Sequence, residues 1–294
     1  MFLMQMNEHQ QQIVEASRSD ARYPRWWPLW RIARLLIFTY LIFLPLAMFF
    51  EERLIFQPFN FPEDDWQPHG LHLEDARITA ADGTKLHGWY VPHEQPLAHI
   101  LFLHGNAGNI THRADILREL HNIGAAVLVL DYRGYGKSEG KPTEQGVLHD
   151  ARAARTCLAE RANFKEEAIV LMGRSLGGGV AVDLTTDVKP RALILESTFT
   201  SMPDVAAVHY PFLPVHWAMK TQLDSMSKIK GYHGPLLQSH GAADEIIPFA
   251  LGEKLHDACP SEDKVFLPIP GGRHNDFQPR EYFETLRTFL EELP

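Results

Sequence analysis

Short apolar runs alternate with segments of helical periodicity from residue 99 to residue 293, and this alternation restricts the possible folds most strongly. The run HILFLHG (residues 99–105), for example, ends in glycine and precedes THRADILRELHNIG, whose apolar residues recur at helical spacing. Such runs are typical of buried parallel strands. The alternation predicts βαβ units and a mostly parallel central sheet flanked by helices, with functional residues at the carboxyl ends of the strands.

Further strands and helices follow the same pattern. Upstream, HLEDARITA and KLHGWYVP flank Asp82-Gly83, a dipeptide typical of hairpin turns, so both segments are expected to be strands. The other predicted strands are AAVLVLDY, EAIVLMG, ALILES, PLLQSHG and KVFLPIP. The other predicted helices are TEQGVLHDARAARTCLAERA, LGGGVAVDLTTD, PFALGEKLHDAC and PREYFETLRTFLEEL.

Residues 199–233 interrupt the alternation. This insert holds three prolines, several aromatic residues and Met202, Met219 and Met226. Surface segments between strands often carry function, so we expect a short cap over a substrate pocket. The alternative is an insert that only packs and connects.

An apolar segment near the N-terminus is predicted to cross a membrane. Residues 35–50 form an uncharged run of 16, slightly short for a bilayer, and Leu29 and Ile32 extend its apolar face. Aromatic residues precede it as in an interfacial belt: Trp26, Trp27 and Trp30. The alternatives are a cleaved signal peptide and a buried core helix. However, no A-x-A-like cleavage site follows the run, and the run is apolar on every face.

The charges around this segment predict its orientation. Five arginines precede the run, whereas the residues after it are mainly acidic: Arg18, Arg22, Arg25, Arg31 and Arg34, then Glu51, Glu52, Glu63, Asp64 and Asp65. This bias predicts a cytoplasmic N-terminus and a large domain on the extracytoplasmic side, periplasmic or lumenal. We expect a cytoplasmic tail (1–28), a transmembrane anchor (29–50), an extended juxtamembrane connector (51–70) and one α/β domain (71–294).

Composition excludes several kinds of partner. Asp and Glu number 37 against 28 Lys and Arg, a net charge of -9 without a basic stripe, so nucleic acid is not expected to bind. Cys157 and Cys259 lie in no CxxC motif, and the 16 histidines form no H-E-x-x-H motif. We expect two ordinary thiols, no metal and no cofactor. Oligomeric state has no signal in the sequence.

The segment LMGRSLGGG (residues 171–179) contains the pattern G-x-S-x-G around Ser175. Between a strand and a helix, this pattern forms a turn too tight for side chains beside the serine. Ser175 is therefore the candidate nucleophile. The alternative is an ordinary glycine-rich turn.

A serine nucleophile needs a base, and the base needs an acid to orient it. With this pattern the acid and then the histidine follow the serine along the chain. Asp244 follows the strand in PLLQSHG, and His274 follows the strand in KVFLPIP, so we predict that Asp244 orients His274 and that His274 takes the proton of Ser175. Glu196, at another strand end, is the rival acid. Histidines at less suitable positions are His209, His216, His240 and His256.

Two backbone N–H groups are candidates for binding the oxyanion. One belongs to Leu176, directly after the nucleophile, and the other to Asn106, in the loop LHGNAGNIT. The same loop carries the glycosylation sequon 109–111, but we expect Thr111 to act as the N-cap of the next helix.

The segment DYRGYGKSEG (residues 131–140) is similar to a phosphate-binding P-loop. However, Asp131 stands where the first glycine should be, and no helix follows promptly, so nucleotide binding is not expected. Arg133 is instead expected to pair with a helix carboxylate such as Asp150.

Six segments together resemble a family of α/β-hydrolase-domain proteins, which are small serine hydrolases, commonly with one N-terminal membrane anchor. In chain order they are HGNAGN, DYRGYGKSEG, GRSLGG, ESTFTS, HGAADEIIP and GGRHNDF. The resemblance extends from about residue 70 to the C-terminus. It implies an α/β-hydrolase fold, with Ser175 as nucleophile, Asp244 as acid and His274 as base.

The resulting hypothesis is a serine hydrolase that cleaves carboxylic esters or thioesters of a small-molecule or lipid-like acyl substrate. An apolar insert suits acyl groups. A peptidase or amidase with the same three residues is the second hypothesis, and a membrane-anchored scaffold without activity is the third.

Overall fold

The computed structural model describes residues 27–62 and 64–294, and the chain divides into two units between residues 49 and 50. In the first unit, the described residues form one helix, α1 (Trp27–Phe49). Within it, Leu29–Phe49 is unburied and is long and apolar enough to cross a bilayer. The residues of the predicted tail up to Trp26, with Arg18, Arg22 and Arg25, lie outside the described residues, as does Glu63.

An eight-stranded sheet forms the centre of the second unit. Its strands are β1 (Glu74–Thr79), β2 (Lys85–Val91), β3 (Ala98–Leu103), β4 (Ala125–Leu130), β5 (Val170–Arg174), β6 (Ala192–Glu196), β7 (Leu236–Gly241) and β8 (Lys264–Ile269). Their order across the sheet is β8-β7-β6-β5-β3-β4-β2-β1. Strand β2 runs antiparallel to both neighbours, and all other neighbouring pairs in this sheet are parallel. The predicted strands and the predicted hairpin are confirmed.

Helices cover both faces of the sheet, and the described residues of the second unit form nine α-helices. They are α2 (Glu51–Ile55), α3 (Ala114–Asn122), α4 (Glu144–Ala162), α5 (Leu176–Leu184), α6 (Met202–His209), α7 (Val215–Ala218), α8 (Ser225–Ile229), α9 (Phe249–Ala258) and α10 (Arg280–Glu291). Alternate residues of a strand enter opposite faces: in β3, Leu101 and Leu103 pack with α4 and α5, while Ile100 and Phe102 pack with α3 and α10. Burial on both faces explains why these strands are continuous apolar runs.

The loops that position the site lie at one edge of the sheet. Because β3 to β8 are parallel, the loops after β3, β5, β6, β7 and β8 all leave from that edge. The insert of residues 199–233 lies between β6 and β7 and contains the short helices α6, α7 and α8.

The connector predicted at residues 51–70 is not extended throughout. Its first part, which we call the strap (residues 51–61), begins with α2 and continues as a two-residue strand, Gln57–Pro58. This strand pairs in parallel with Ala107–Gly108, in the loop after β3. Pairing over two residues leaves no periodicity in the sequence, so the pattern could not indicate it.

The prediction that Thr111 is an N-cap is wrong. A 3-10 turn, Ile110–Arg113, precedes α3, and its N-cap is Asn109. The Asn109 side-chain oxygen accepts hydrogen bonds from the Thr111 N–H (2.9 Å) and the Thr111 hydroxyl (2.6 Å). The threonine hydroxyl is thus a donor to the cap and is not the cap itself.

Candidate active site

Ser175 lies in a sharp turn between β5 and α5. Its φ of 54° and ψ of -121° form a conformation that residues other than glycine rarely adopt. The neighbouring glycines make this turn possible, because a Cβ on Gly173 would overlap the backbone of Gly177, and a Cβ on Gly177 would overlap that of Leu103. The result is the strand–turn–helix geometry of a nucleophile elbow, with the hydroxyl at the carboxyl edge of the sheet.

Ser175, His274 and Asp244 form one hydrogen-bonded series. Nε2 of His274 lies 3.1 Å from Oγ of Ser175, and Nδ1 of His274 lies 2.7 Å from Oδ2 of Asp244. The acid comes from the loop after β7 and the histidine from the loop after β8. The structure thus brings together the three residues that the sequence singled out, in the arrangement of a nucleophile, a base and an orienting carboxylate.

The surroundings of Asp244 favour its charged form. Burial raises the pKa of this carboxyl, but hydrogen bonds with His240 and His274 outweigh burial and hold the pKa well below its usual range. The N–H groups of Ile246 and Ile247 donate to its Oδ1 at 2.9 and 2.8 Å. Oδ2 faces His274 as a carboxylate that can orient the ring and stabilise its protonated form.

The loop after β3 lies against the elbow, where a Cβ on Gly105 would be 3.4 Å from Cβ of Ser175. The N–H of Leu176 opens α5, so it has no acceptor within that helix. Within residues 27–62 and 64–294, the N–H of Asn106 has no hydrogen-bond partner either. Two N–H groups beside Ser175 thus lack an acceptor among the described residues, as donors to an oxyanion must, and they remain the predicted oxyanion donors.

Comparison with known proteins gives the family. A family model described as serine aminopeptidase, S33, matches residues 94–226. An uncharacterised protein of Mycobacterium tuberculosis is 40% identical over 223 residues, which are 74% of this chain and 79% of that protein. The alpha/beta hydrolase domain-containing protein WAV2 of Arabidopsis thaliana is 33% identical over 277 residues, covering 84% of this chain and 89% of the relative. The chain belongs to the α/β-hydrolase family.

Solved structures have the same fold as this α/β hydrolase. An esterase of Pyrococcus furiosus superposes with a TM-score of 0.66 at 20% identity, over 81% of this chain and 98% of that one. The predicted fold class and the predicted family are confirmed.

The strap fixes Asn106, a contact that sequence reasoning missed. The Asn106 side-chain amide donates to the carbonyl of Ile55 (2.7 Å), and the hydroxyl of Tyr135 donates to the carbonyl of Asn106 (2.7 Å). Two residues later, the N–H of Phe59 in the strap donates to the carbonyl of Gly108 (3.1 Å). The strap and Tyr135 together hold the backbone that carries the candidate oxyanion donor. The asparagines of HGNAGN are the signal that could have indicated such contacts.

Arg174, directly before Ser175, is a second residue that sequence reasoning missed. Its Nη2 donates to the carbonyls of His274 (2.8 Å) and Asp276 (3.0 Å), so it ties the loop of His274 to the end of β5. Its Nη1 lies 3.8 Å from the carboxylate of Glu196. The arginine inside the G-x-S-x-G pattern is the sequence feature that could have indicated these contacts.

Glu196, the rival acid, lies beside the guanidinium of Arg174. Within the described residues it makes no hydrogen bond to His274. It is fully buried, and burial raises the pKa of its carboxyl, while the charge of Arg174 acts in the opposite direction. Asp244 is the carboxylate that contacts the imidazole.

The other candidate histidines have different partners. His209 bonds the carbonyl of Ile246, His216 lies in the insert, and His256 lies on α9. His240 is buried, and its Nε2 lies 2.9 Å from the carbonyl of Ile247 and 3.4 Å from Oδ2 of Asp244. In the described ranges, no three His, Cys, Asp or Glu side chains form a group that could hold a metal ion.

The pairing predicted for Arg133 is confirmed. Its Nη2 and Nε donate to the Asp150 carboxylate at 2.7 to 3.1 Å, and its Nη1 donates to Asp82 at 2.8 Å. Lys137, in the segment similar to a P-loop, instead lies over the ring of Trp66, 4.3 Å from its centroid.

Proposed function

We propose that this α/β hydrolase is a serine hydrolase that cleaves carboxylic ester or thioester bonds through an acyl-enzyme. The observation that carries the proposal is the hydrogen-bonded series from Ser175 through His274 to Asp244. The positive φ of Ser175 supports it, because such backbone strain is common where a nucleophile must be presented.

In the proposed mechanism His274 accepts the proton of Ser175 as its oxygen attacks the acyl carbon. Asp244 stabilises the imidazolium, and the N–H groups of Asn106 and Leu176 donate to the oxyanion. Each such donor is typically worth about 3 kcal/mol of barrier. His274 then gives its proton to the leaving alcohol or thiol, and a water molecule, activated by the same ring, releases the acid.

The proposed substrate is a small or lipid-like molecule with an apolar acyl group. The support is the insert of residues 199–233, which is rich in apolar residues and directly follows Thr198, whose hydroxyl donates to the carbonyl of Ser175 (3.0 Å). The esterase of Pyrococcus furiosus with the same fold is consistent with an ester substrate.

A fluorophosphonate probe and p-nitrophenyl esters of graded chain length test this function on the full chain in detergent. We expect wild type and Ser227→Ala, an exposed serine on α8, to react, and Ser175→Ala to lose both reactions. If neither reagent reacts, or if Ser175→Ala reacts as wild type does, the hydrolase proposal is overturned, and the scaffold hypothesis is favoured.

A peptidase or amidase is the second candidate, because the matching family model is described as a serine aminopeptidase. The same three residues would attack an amide. Comparing kcat/KM for aminoacyl p-nitroanilides and p-nitrophenyl esters distinguishes the two: a higher value for the anilides would favour the peptidase.

We also propose that residues 29–50 anchor the chain in a membrane, with residues 1–28 cytoplasmic and the hydrolase domain (71–294, after the connector 51–70) extracytoplasmic. The apolar stretch Leu29–Phe49 and the arginine bias before it support this arrangement. A signal sequence would be removed, so intact-mass measurement of the mature chain separates anchor from signal. Protease protection of the hydrolase domain in inside-out vesicles tests on which side of the membrane the domain lies.

A further inference from the structure

The insert exposes large apolar side chains. The apolar insert face consists of Val208, Tyr210, Phe212 and Trp217, which are 50, 52, 64 and 81% exposed. The rings of Tyr210 and Phe212 have centroids 6.4 Å apart, and the N–H of Trp217 donates to the carbonyl of Pro214 in the same segment. The exposed rings of Tyr210 and Phe212 lie together, and an exposed apolar patch usually marks a surface that binds something.

The segment that carries this face is less acidic in sequence than the whole chain, although the carboxylates of Asp204, Glu51 and Glu144 contact it. Residues 205–223 contain no Asp or Glu and one Lys, Lys220, although the protein as a whole has a net charge of -9. Exposed Trp and Tyr with a nearby Lys suit the headgroup region of a bilayer, where aromatic rings enter the interface and cations meet anionic lipids.

The chain also limits how far this face can lie from a bilayer. Glu51 is two residues beyond Phe49, the last residue of the candidate membrane span, so at most about 7 Å of chain separates them. The buried carboxylate of Glu51 accepts hydrogen bonds from the backbone N–H groups of Lys220 (3.0 Å) and Thr221 (2.7 Å). Lys220 is three residues after Trp217. The insert is therefore hydrogen-bonded to the first residues of the domain that follow the candidate membrane span.

We propose that the apolar insert face docks on the phospholipid surface, with Phe212 and Trp217 inserted at the level of the headgroups. The proposal rests on the proposed anchor and deepens the proposed function, because the insert adjoins the loop of the acid: His209 Nε2 lies 2.7 Å from the carbonyl of Ile246. Docking would place the active-site edge of the domain beside lipid, where an acyl substrate dissolved in the bilayer can reach it.

Nitroxide accessibility in the full chain tests the proposal. Single cysteines replace Trp217, Leu41 in the middle of α1, or Val265 on the exposed side of β8, in a background with Cys157→Ala and Cys259→Ala. Each protein is spin-labelled and placed in nanodiscs of phosphatidylcholine and phosphatidylglycerol. Power saturation then compares collisions with oxygen, which concentrates in lipid, with those of a nickel chelate, which stays in water. Reaction of Ser175 with the fluorophosphonate tests the hydrolase function separately.

We expect the ratio of oxygen to nickel collisions at 217 to be several times that at 265 and below that at 41. A ratio at 217 equal to that at 265, with 41 in lipid, would overturn docking and leave the anchor intact. A label at 41 exposed to the nickel chelate would overturn the anchor and docking together. A label at 217 protected from both reagents would mean contact with protein, such as a second copy of the chain, and would also overturn the proposal.

Discussion

The carboxylate of Asp244 accepts hydrogen bonds at both of its oxygens. Its Oδ1 accepts two backbone N–H bonds, and its Oδ2 accepts the bond from Nδ1 of His274. In the proposed mechanism, the charge on Oδ2 selects the imidazole tautomer whose Nε2 can accept the proton of Ser175. An amide at this position would keep the volume but reverse that preference.

We expect Asp244→Asn to lower kcat on a p-nitrophenyl ester about 10³- to 10⁴-fold, with little change in KM. Glu196→Gln, which changes the rival acid in the same way, should lower kcat far less, because this carboxylate does not contact the imidazole. Steady-state kinetics of both variants, with circular dichroism to check folding, decide between the acids. A larger loss of kcat in Glu196→Gln than in Asp244→Asn would identify Glu196 as the acid.

His104 links the protonation of one buried ring to the stability of the protein. It follows β3, is fully buried, and lies against Tyr132 with ring centroids 4.7 Å apart. Burial lowers the pKa of His104 to about 3, whereas the pKa of this ring in an unfolded chain is about 6.5. Since the folded pKa is the lower one, the stability that His104 contributes is present above about pH 6.5 and is lost as the pH falls toward 3.

Between pH 7 and pH 5, the free energy of unfolding of the wild type should fall by about 2 kcal/mol more than that of His104→Gln, which cannot take up this proton. Urea unfolding of both proteins at the two pH values measures the difference. Equal losses in the two proteins would show that the folded protein protonates His104 as readily as the unfolded chain does.

At the scale of elements, hydrogen bonds join the strap to the loop after β3. The side chain of Asn106 bonds the carbonyl of Ile55, and Phe59 bonds Gly108. Because the proposed oxyanion donor is the backbone N–H of Asn106, any rotation of this peptide moves the donor away from the oxyanion. Catalysis is sensitive to such displacements, since a donor must lie about 3 Å from the oxyanion.

Asn106→Ala keeps the backbone donor but removes its bond to the strap. We expect kcat to fall about 10-fold or more, less than the roughly 100-fold typical of losing an oxyanion donor outright, with KM nearly unchanged. Asn122→Ala, the same change on the exposed end of α3, is the matched control and should retain the wild-type kcat. An unchanged kcat in Asn106→Ala would mean that the strap does not position the loop.

Sequence reasoning predicted the elements whose physical cause leaves a recognisable pattern of residue types along the chain. The strands are apolar because both faces of the sheet are covered, and the position of Ser175 follows from glycines that a tight turn requires. The strap was missed because two-residue pairing has no period, and Thr111 was misassigned because Asn109 offers the better acceptor. Arg174 was missed because its partners are carbonyls a hundred residues away, which leave no mark on local sequence.

At the scale of the whole molecule, the second unit contains its own stabilising contacts. Among the described residues, the members of the two hydrophobic cores and the residues packed on them all lie between Ile55 and Leu293. The side chain of Phe56 in the strap is buried in one of these cores. The boundary that matters for folding and for the site is therefore expected to lie before the strap and not after it.

Two truncations test this boundary, one without residues 1–49 and one without residues 1–61. The first keeps the strap, so its Tm and its kcat on a short, water-soluble ester should match those of the full chain in detergent. The second loses Phe56 and the carbonyl that holds Asn106, so we expect a Tm lower by roughly 10 °C and a kcat lower by about 10-fold or more. Calorimetry and steady-state kinetics measure both. If the second truncation remained as stable and as active as the first, the strap would be only a connector, and the bond to Asn106 would have no part in holding the oxyanion loop.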